Sequence, residues 1–224
     1  MGLLHALRWY PSLVTDIIIK PHYRPAEFWE KRHARDHTFW TVGRRVYDTE
    51  GNERWYGRLA ADLRAALTAE KLDLKTLGVY EIGAGTGYWT RLMRDLGCVK
   101  YEGTDIAESA VAWLRPQFPD YTFAARDAAV DPIPGFWDVI VMMHVDEHVH
   151  AERFFAMLRH IKAAMRPTSR LFTTYVPVAK PSGVTYVEYH TGDDYARVFP
   201  AAWIRPLPQP NGGDPMLVIS PAYA

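Results

Sequence analysis

A glycine-rich segment carries the strongest chemical signal in this chain. It reads Val79-Tyr80-Glu81-Ile82-Gly83-Ala84-Gly85-Thr86-Gly87, so an acidic residue precedes three alternate glycines. Residues 77–82 have the apolar pattern of a buried strand, and the residues after the glycines have that of a helix ending at Gly97. Glycine lets the backbone turn sharply and lets a ligand approach it closely. In an open α/β sheet, ligands bind at such a junction of strand and helix.

Two carboxylates end the next two predicted strands. Asp105 follows a strand predicted near residues 99–104, about 20 residues after the first glycines, where a carboxylate can hold both hydroxyls of a ribose. Asp127 follows a strand predicted near residues 121–125, and its carboxylate can accept a hydrogen bond from the exocyclic amine of adenine. Three consecutive strand ends therefore supply the parts of one nucleoside site.

Two classes of ligand compete for this site. Dinucleotide sites use the spacing Gly-x-Gly-x-x-Gly and place a pyrophosphate at the helix N-terminus. Here the spacing is Gly-x-Gly-x-Gly, and Glu81 lies two residues before Gly83. A carboxylate repels a pyrophosphate but attracts the ammonium group of a methionine moiety. The residues therefore favour an aminoacyl nucleoside over NAD.

The elements that must position these residues follow an α/β rhythm. From Leu59 the apolar residues have helical spacing, and the chain then alternates five predicted strands with helices. The later predicted elements are strands near residues 136–143 and 170–176, a short helix near 193–199, and strands near 202–207 and 216–220. We predict an α/β fold with a doubly wound, mainly parallel, seven-stranded Rossmann-like sheet and a C-terminal antiparallel hairpin.

These motifs resemble, in order and spacing, the signature blocks of class I S-adenosylmethionine-dependent methyltransferases. The blocks are residues 81–87, Asp105, Asp127, residues 136–140 and the pattern Leu-x-x-Ile-x-x-x-Met-Arg-Pro at residues 158–167. The resemblance covers roughly residues 57–176 and implies S-adenosyl-L-methionine as the cofactor. It further implies that the glycine loop holds the methionine part, Asp105 the ribose and Asp127 the adenine amine. The predicted cofactor-binding residues are Glu81, Gly83, Ala84, Gly85, Gly87, Asp105, Ile106, Asp127, Ala128 and His144.

The residues that could handle a proton lie after the fourth predicted strand and before the tail helix. Methyl transfer is an in-line displacement, so the enzyme mainly aligns its substrates and supplies a base where the acceptor loses a proton. We expect His144 and His190 to be catalytic, because an imidazole with a pKa near 6.5 can accept a proton at neutral pH. As an alternative, Glu147 and His148 only open the next helix.

A metal site is a rival use of the same residues. The segment His144-x-x-Glu147-His148 resembles the Glu-x-x-Glu-His metal site of ubiquinone-pathway O-methyltransferases, with His in place of the first Glu. An imidazole with a carboxylate suits a transition-metal ion better than magnesium. Because of this replacement, we predict no metal.

Residues 1–56 form an aromatic-rich segment without alternating strands and helices. We expect them to be a lid that supplies part of the substrate wall, and residues 57–224 to be the cofactor-binding core, although aromatic packing alone is an alternative. A small organic or sugar-type acceptor, methylated on oxygen or nitrogen, fits such a wall best. The alternatives are a tRNA or protein acceptor, a noncatalytic cofactor-binding module, and an oxidoreductase that binds NAD or a nucleotide sugar. For the last alternative we find no Tyr-x-x-x-Lys or similar hydride-site pair.

Composition narrows the possible partners and compartment. The 224 residues suit one globular domain, and with 26 basic and 26 acidic residues no net field attracts nucleic acid. No apolar run approaches the ~20 residues that span a bilayer. Residues 3–19 are rich in apolar side chains, and we expect them to form a helix that docks on the protein, with weak contact to a membrane surface as the alternative. Because Cys98 is the single cysteine, we expect a reducing, cytoplasmic location. We expect a monomer or a homodimer.

Overall fold

The computed structural model describes residues 23–182 and 184–223, and seven strands within them form one sheet. The strands are β1 (Gly78–Ile82), β2 (Lys100–Asp105), β3 (Thr122–Ala125), β4 (Trp137–Met142), β5 (Met165–Thr174), β6 (Ile204–Pro206) and β7 (Met216–Ile219). The helices are α1 (Pro25–His33), α2 (Phe39–Val42), α3 (Thr49–Ala69), α4 (Tyr88–Asp95), α5 (Glu108–Gln117), α6 (Ala151–Ala163) and α7 (Gly192–Ala196). Short 3₁₀ turns occupy Asp146–His148, Ala201–Trp203 and Pro221–Tyr223.

The sheet has the strand order β3-β2-β1-β4-β5-β7-β6. The first five strands are parallel to one another, whereas β7 is antiparallel to both β5 and β6. This arrangement confirms the predicted mainly parallel sheet with its C-terminal hairpin. The strand order reverses between β1 and β4, and ligands of open α/β sheets bind at such a switch point.

The core consists of two apolar layers, one on each face of the sheet. On β1, Val79 faces the layer that contains Leu63 of α3 and Met93 of α4, whereas Tyr80 faces the layer of α6. Side chains alternate between faces along a strand, so consecutive apolar residues are needed where both faces are covered. β1, which is fully buried, and β4, which is buried except at Asp138, are therefore held on both faces, and their carboxyl ends provide a rigid base for a site.

The segment before the sheet contains the helices α1, α2 and α3, whereas the sequence predicted helical spacing only from Leu59. Helix α3 begins after Asp48, whose carboxylate accepts a hydrogen bond from the Gly51 amide at 2.7 Å. The helix passes without a break through the predicted boundary between residues 56 and 57, because Trp55 and Tyr56 already belong to the buried core. The division into lid and core stays a prediction.

Two other element boundaries shift. Strand β5 begins at Met165 instead of near residue 170, because Met165 already pairs with Trp137 of β4. The register shifts between this pair and Arg170, and in the irregular part the hydroxyl of Ser169 accepts a hydrogen bond from the Arg166 amide at 2.7 Å. Helix α7 ends at Ala196, three residues before the predicted end. The predicted membrane-surface contact of residues 3–19 lies outside the described residues. Among the helices that are described, none has the length and apolar character needed to cross a bilayer.

Candidate active site

A cavity opens where β1, β2, β3 and β4 end. Its wall contains residues 83–86 of the glycine loop, 104–106 at the end of β2, 126–129 after β3 and 143–145 after β4. The other wall residues include Pro25, Trp29, His33, Val42, Tyr56, Tyr88, Trp89, His148, Val149 and Met157. The first four groups are the strand ends that the sequence singled out. The remaining residues include four from α1 and α2, so these two helices cover one side of the cavity.

The glycine loop has a backbone that other residues would not tolerate. Gly83 has φ +74°, and a Cβ there would lie 2.2 Å from Cγ2 of Val145. Gly87 has φ +82°, and a Cβ there would lie 2.7 Å from Cδ2 of Leu114. The amide of Gly83 donates to the carbonyl of Thr104 at 2.7 Å, which ties the loop to the end of β2. Gly83 lines the cavity, whereas Gly87 supports the turn that starts α4.

Asp105 lies on the cavity wall with its carboxylate fixed by two backbone amides. Oδ2 accepts a hydrogen bond from the Gly85 amide at 2.9 Å, and Oδ1 accepts one from the Ala107 amide at 2.9 Å. Each oxygen keeps acceptor capacity for a further donor. Ile106 follows Asp105 on the same wall. The arrangement can hold a pair of hydroxyl groups beside the glycine loop.

Asp127 lies on the wall beside Ala128, but its carboxylate has strong partners. One oxygen forms an ion pair with the guanidinium of Arg153 on α6, and the other accepts a hydrogen bond from the Ala129 amide at 3.0 Å. An amine that donates to Asp127 therefore competes with Arg153 and with the Ala129 amide for the same two oxygens. Asp127 is therefore a weaker acceptor than Asp105.

Glu81 lies behind the glycine loop, outside the set of residues that form the cavity wall. Its Oε2 accepts hydrogen bonds from the hydroxyls of Thr90, at 3.0 Å, and Tyr101. Its Oε1 has no hydrogen-bond partner among the described residues. Burial raises the pKa of this carboxyl to about 8, against the opposing effect of the two hydroxyls. Glu81 therefore braces β1, β2 and α4, and it is largely protonated at neutral pH.

His144 has a strained backbone and lies between two carboxylates. Its φ of +56° is rare for a residue with a side chain, and its amide donates to the hydroxyl of Thr174 at 2.8 Å. Its Nδ1 lies 3.5 Å from Oε1 of Glu147, and its Nε2 lies 3.4 Å from Oδ2 of Asp214. Burial opposes protonation of the imidazole. Glu147 favours protonation through a hydrogen bond and through its charge, Asp214 adds its own charge, and together they raise the pKa of His144. Although burial acts in the opposite sense, His144 lowers the pKa of Glu147 to about 2.

Asp214 is a site residue that sequence reasoning did not identify. The residue lies in the β6–β7 connection, and its Oδ2 accepts hydrogen bonds from Nη2 of Arg44 at 2.7 Å and from Nε1 of Trp55 at 3.2 Å. These contacts bring a residue from before α3 to the C-terminal hairpin beside His144. The sequence gives no signal for this carboxylate, because its partners are about 70 to 170 positions away.

His190 is placed outside the cavity wall. Its ring stacks on Phe154 with centroids 3.7 Å apart, and its Nε2 lies 2.9 Å from the carbonyl oxygen of Val149. Burial lowers the pKa of this imidazole. The structure therefore does not bring His190 to His144, because α6 and the 149–150 segment hold its ring in the protein interior. His148 lines the cavity instead, with its ring 4.8 Å from that of Trp29.

The alternative metal site would consist of His144, Glu147 and His148. Glu147 is engaged with His144, and its Oε1 is 3.8 Å from Nε2 of His148. Over residues 23–182 and 184–223, no group of three His, Cys, Asp or Glu side chains is arranged to hold a metal ion. The carboxylate of Glu147 therefore lies between the imidazoles of His144 and His148.

Comparison with known proteins identifies the family. A family model described as a methyltransferase domain matches residues 53–205. The chain belongs to the methyltransferase domain family. Its architecture is that of the class I, S-adenosylmethionine-dependent methyltransferases, so the predicted family and fold class are confirmed.

Several solved structures share the fold of this methyltransferase. Magnesium protoporphyrin IX methyltransferase from Synechocystis PCC 6803, solved with S-adenosylmethionine, is 17% identical with a TM-score of 0.65, and the match covers 90% of this chain and 99% of that one. DesVI from Streptomyces venezuelae is 14% identical with a TM-score of 0.60, covering 77% and 94% of the two chains. The 1,6-didemethyltoxoflavin-N1-methyltransferase from Burkholderia thailandensis is 20% identical with a TM-score of 0.56, covering 91% and 92%.

A curated relative is much longer than this methyltransferase. The non-reducing polyketide synthase tazA from Aspergillus terreus is 30% identical over 129 residues, which are 54% of this chain. The match spans only 5% of that protein.

Proposed function

We propose that this methyltransferase transfers the methyl group of S-adenosyl-L-methionine to an oxygen or nitrogen atom of a small organic or sugar-type acceptor. One observation carries the proposal: a single cavity collects the glycine loop, Asp105, the residues after β3 and His144, and α1 and α2 close its other side. The first three groups suit the parts of the cofactor, and the presence of His144 on the same wall supports its choice as the base.

The residues present fit this cofactor. The left-handed glycines allow a ligand to approach the backbone of residues 83–86, and Asp105 offers two fixed acceptor oxygens beside them. Ala128 and Asp127 supply a small apolar surface and an acceptor further along the wall. When bound, S-adenosyl-L-methionine supplies an electrophilic methyl group on its sulfonium sulfur. The chain itself binds, aligns and desolvates the reactants.

His144 is the residue that we assign as the base. A neutral imidazole accepts the proton that an acceptor hydroxyl or amine loses when its oxygen or nitrogen gains a methyl group. Glu147 then stabilises the imidazolium, because its carboxylate stays ionised 3.5 Å from Nδ1. Nε2 lies 3.4 Å from Oδ2 of Asp214, whose charge also favours a proton on the ring.

The size and chemistry of the wall support a small acceptor. Aromatic and imidazole rings of Trp29, Tyr56, Tyr88 and His148 line the cavity, and such surfaces bind organic rings and sugars. The net charge of zero gives no general attraction to nucleic acid, and this favours a small molecule over tRNA. We further infer a cytoplasmic protein from its single, buried cysteine thiol, and the monomer or homodimer stays a prediction.

Titration calorimetry followed by an acceptor screen tests the proposal. We expect the purified chain to bind S-adenosyl-L-methionine and S-adenosylhomocysteine but not NAD. With methyl-labelled cofactor and a panel of hydroxylated and amino metabolites, mass spectrometry should detect a product heavier by one labelled methyl group. Binding of NAD in place of S-adenosylhomocysteine would refute the cofactor, and labelling of tRNA or protein alone would refute the acceptor class.

A further inference from the structure

His33 is a buried histidine that no part of the proposed mechanism uses. It is the last residue of α1, it is 1% exposed, and it lies on the cavity wall. Its Nδ1 is buried without a hydrogen-bond partner among the described residues. An unsatisfied buried polar group destabilises the folded protein by about 1 to 3 kcal/mol. A ligand bound in the cavity that hydrogen-bonds the imidazole would remove this penalty.

The imidazole faces the part of the cavity between the glycine loop and Asp105. Its Cε1 lies 3.9 Å from the point that a Cβ on Gly85 would occupy. The charge of Asp105 acts on it directly, together with those of Glu30, Arg32 and His37 from its own end of the lid. Burial dominates these effects and lowers the pKa of His33, so the ring is neutral and can both donate and accept a hydrogen bond.

Helix α1 is fastened so that His33 keeps this position. The Ser109 amide at the start of α5 donates to Oε2 of Glu30 at 3.1 Å, and the Ser109 hydroxyl donates to the Glu30 carbonyl at 3.4 Å. These bonds join the lid helix to the helix that follows Asp105. The ring is therefore held on the same cavity wall as Gly85 and Asp105.

We propose that His33 is a cofactor-binding residue that hydrogen-bonds a ribose hydroxyl alongside Asp105. The proposal rests on the proposed function, since it takes an adenosine-containing ligand to be the occupant of the cavity. It makes α1 part of the cofactor site as well as a wall for the acceptor.

Titration calorimetry with two ligands tests this assignment without any acceptor. Both S-adenosylhomocysteine and 5′-methylthioadenosine contain adenosine with its ribose, but only S-adenosylhomocysteine carries the amino acid part. We expect His33→Phe, which keeps a ring but has no nitrogen, to weaken the binding of both ligands about 10-fold. His33→Gln, which can hydrogen-bond again, should recover part of the affinity.

His37→Phe is the matched control. His37 lies on the same lid with its ring 5.9 Å from that of His33, but it stacks on Trp113 outside the cavity wall. We expect this variant to bind both ligands as the wild type does. His33→Leu provides a second variant without nitrogen, and thermal unfolding verifies that each variant is folded.

Three results would overturn the assignment in distinguishable ways. Unchanged affinity in folded His33→Phe and His33→Leu would remove His33 from the cofactor site. A loss confined to S-adenosylhomocysteine would move its contact from the ribose to the amino acid part. Failure of the wild type to bind either ligand would overturn the proposed function itself.

Discussion

Asp105 and Asp127 end neighbouring parallel strands, yet their carboxylates have different partners. Asp105 is held by two backbone amides and keeps acceptor capacity towards the cavity. Asp127 is neutralised by Arg153, which belongs to a helix later in the chain. Both positions follow from the strand pattern, but the free capacity of each carboxylate depends on its neighbours.

We predict that Asp105→Ala weakens S-adenosylhomocysteine binding by about 1.5 to 3 kcal/mol, the usual scale for a hydrogen bond to a charged group. Asp127→Ala should cost less, because its carboxylate already pairs with Arg153 and would bind a neutral amine. Titration calorimetry of the two folded variants measures both losses. A larger loss in Asp127→Ala would reverse this ranking, and unchanged affinity in Asp105→Ala would refute its role at the ribose.

The environment of His144 determines how its rate contribution depends on pH. Glu147 and Asp214 favour the imidazolium and raise the pKa of His144 despite its burial. A base must be neutral before it accepts a proton, so activity should rise with pH through this raised pKa. The raised pKa also makes the neutral form a stronger base.

We predict that Glu147→Gln moves the rising limb of the pH–rate profile to lower pH. Removing the carboxylate removes the charge that favours the imidazolium, so the pKa of His144 falls. His144→Gln should lose ~10²-fold or more in rate, which is far more than it loses in cofactor affinity. Profiles of kcat/KM with an identified acceptor measure both effects, and Asp193→Asn, which removes an exposed charge on α7, is the control. A limb at the same pH in Glu147→Gln would show that His144 is not the titrating group.

At the scale of elements, α3 holds the β6–β7 connection in place. The buried carboxylate of Asp62 accepts hydrogen bonds from the amide and side chain of Asn211, each at 2.9 Å, and from the Gly213 amide at 2.8 Å. A Cβ on Gly213 would lie 2.6 Å from Oδ2 of Asp62, so the close approach needs glycine. Asp214 follows directly, and its position beside His144 therefore depends on this attachment.

We predict that Asp62→Ala lowers the free energy of unfolding by about 2 to 3 kcal/mol, because it removes a buried carboxylate together with its hydrogen bonds from Asn211 and Gly213. Asp62→Asn keeps an acceptor oxygen and should lose less. Urea denaturation measures both variants, and Asp120→Ala, an exposed aspartate, should stay within about 0.5 kcal/mol of the wild type. Equal stability of Asp62→Ala and Asp120→Ala would contradict the attachment.

At the scale of the whole molecule, helices α1 and α2 close the cavity that the sheet opens. Their residues Trp29, His33 and Val42 lie on its wall. Helix α3 is different in character, because Trp55 and Tyr56 are part of the main core. A lid that can be removed without damaging the core therefore ends before α3.

We predict that a chain beginning at Arg44 folds, because it retains the Asp48 cap and all of α3. It should bind S-adenosylhomocysteine at least about 10-fold more weakly, since one wall and the His33 contact are lost, and it should have no measurable turnover. Calorimetry, acceptor assays and circular dichroism test these expectations. Wild-type turnover by this shortened chain would show that α1 and α2 only pack against the core.

The sequence by itself determined the family, the fold class and the order of strands and helices. These depend on local periodicity and on turn residues such as Gly83, and both are readable along the chain. It also located Asp105 and His144 at strand ends, because parallel strands bring their carboxyl ends to one edge. The exact start of β5 differs from the prediction, since it depends on the pairing of Met165 with Trp137, which is distant in the sequence.

Only the tertiary structure decided which side chains face the cavity and what each one contacts. Glu81 and His190 belong to promising sequence motifs, yet packing against Tyr101 and Phe154 turns them into the interior. His33 and Asp214 belong to no motif, and the fold brings both to the site. The physical reason is that side-chain direction, burial and charge pairing are set by contacts between distant segments, such as the 170 positions that separate the two residues of the Arg44–Asp214 pair.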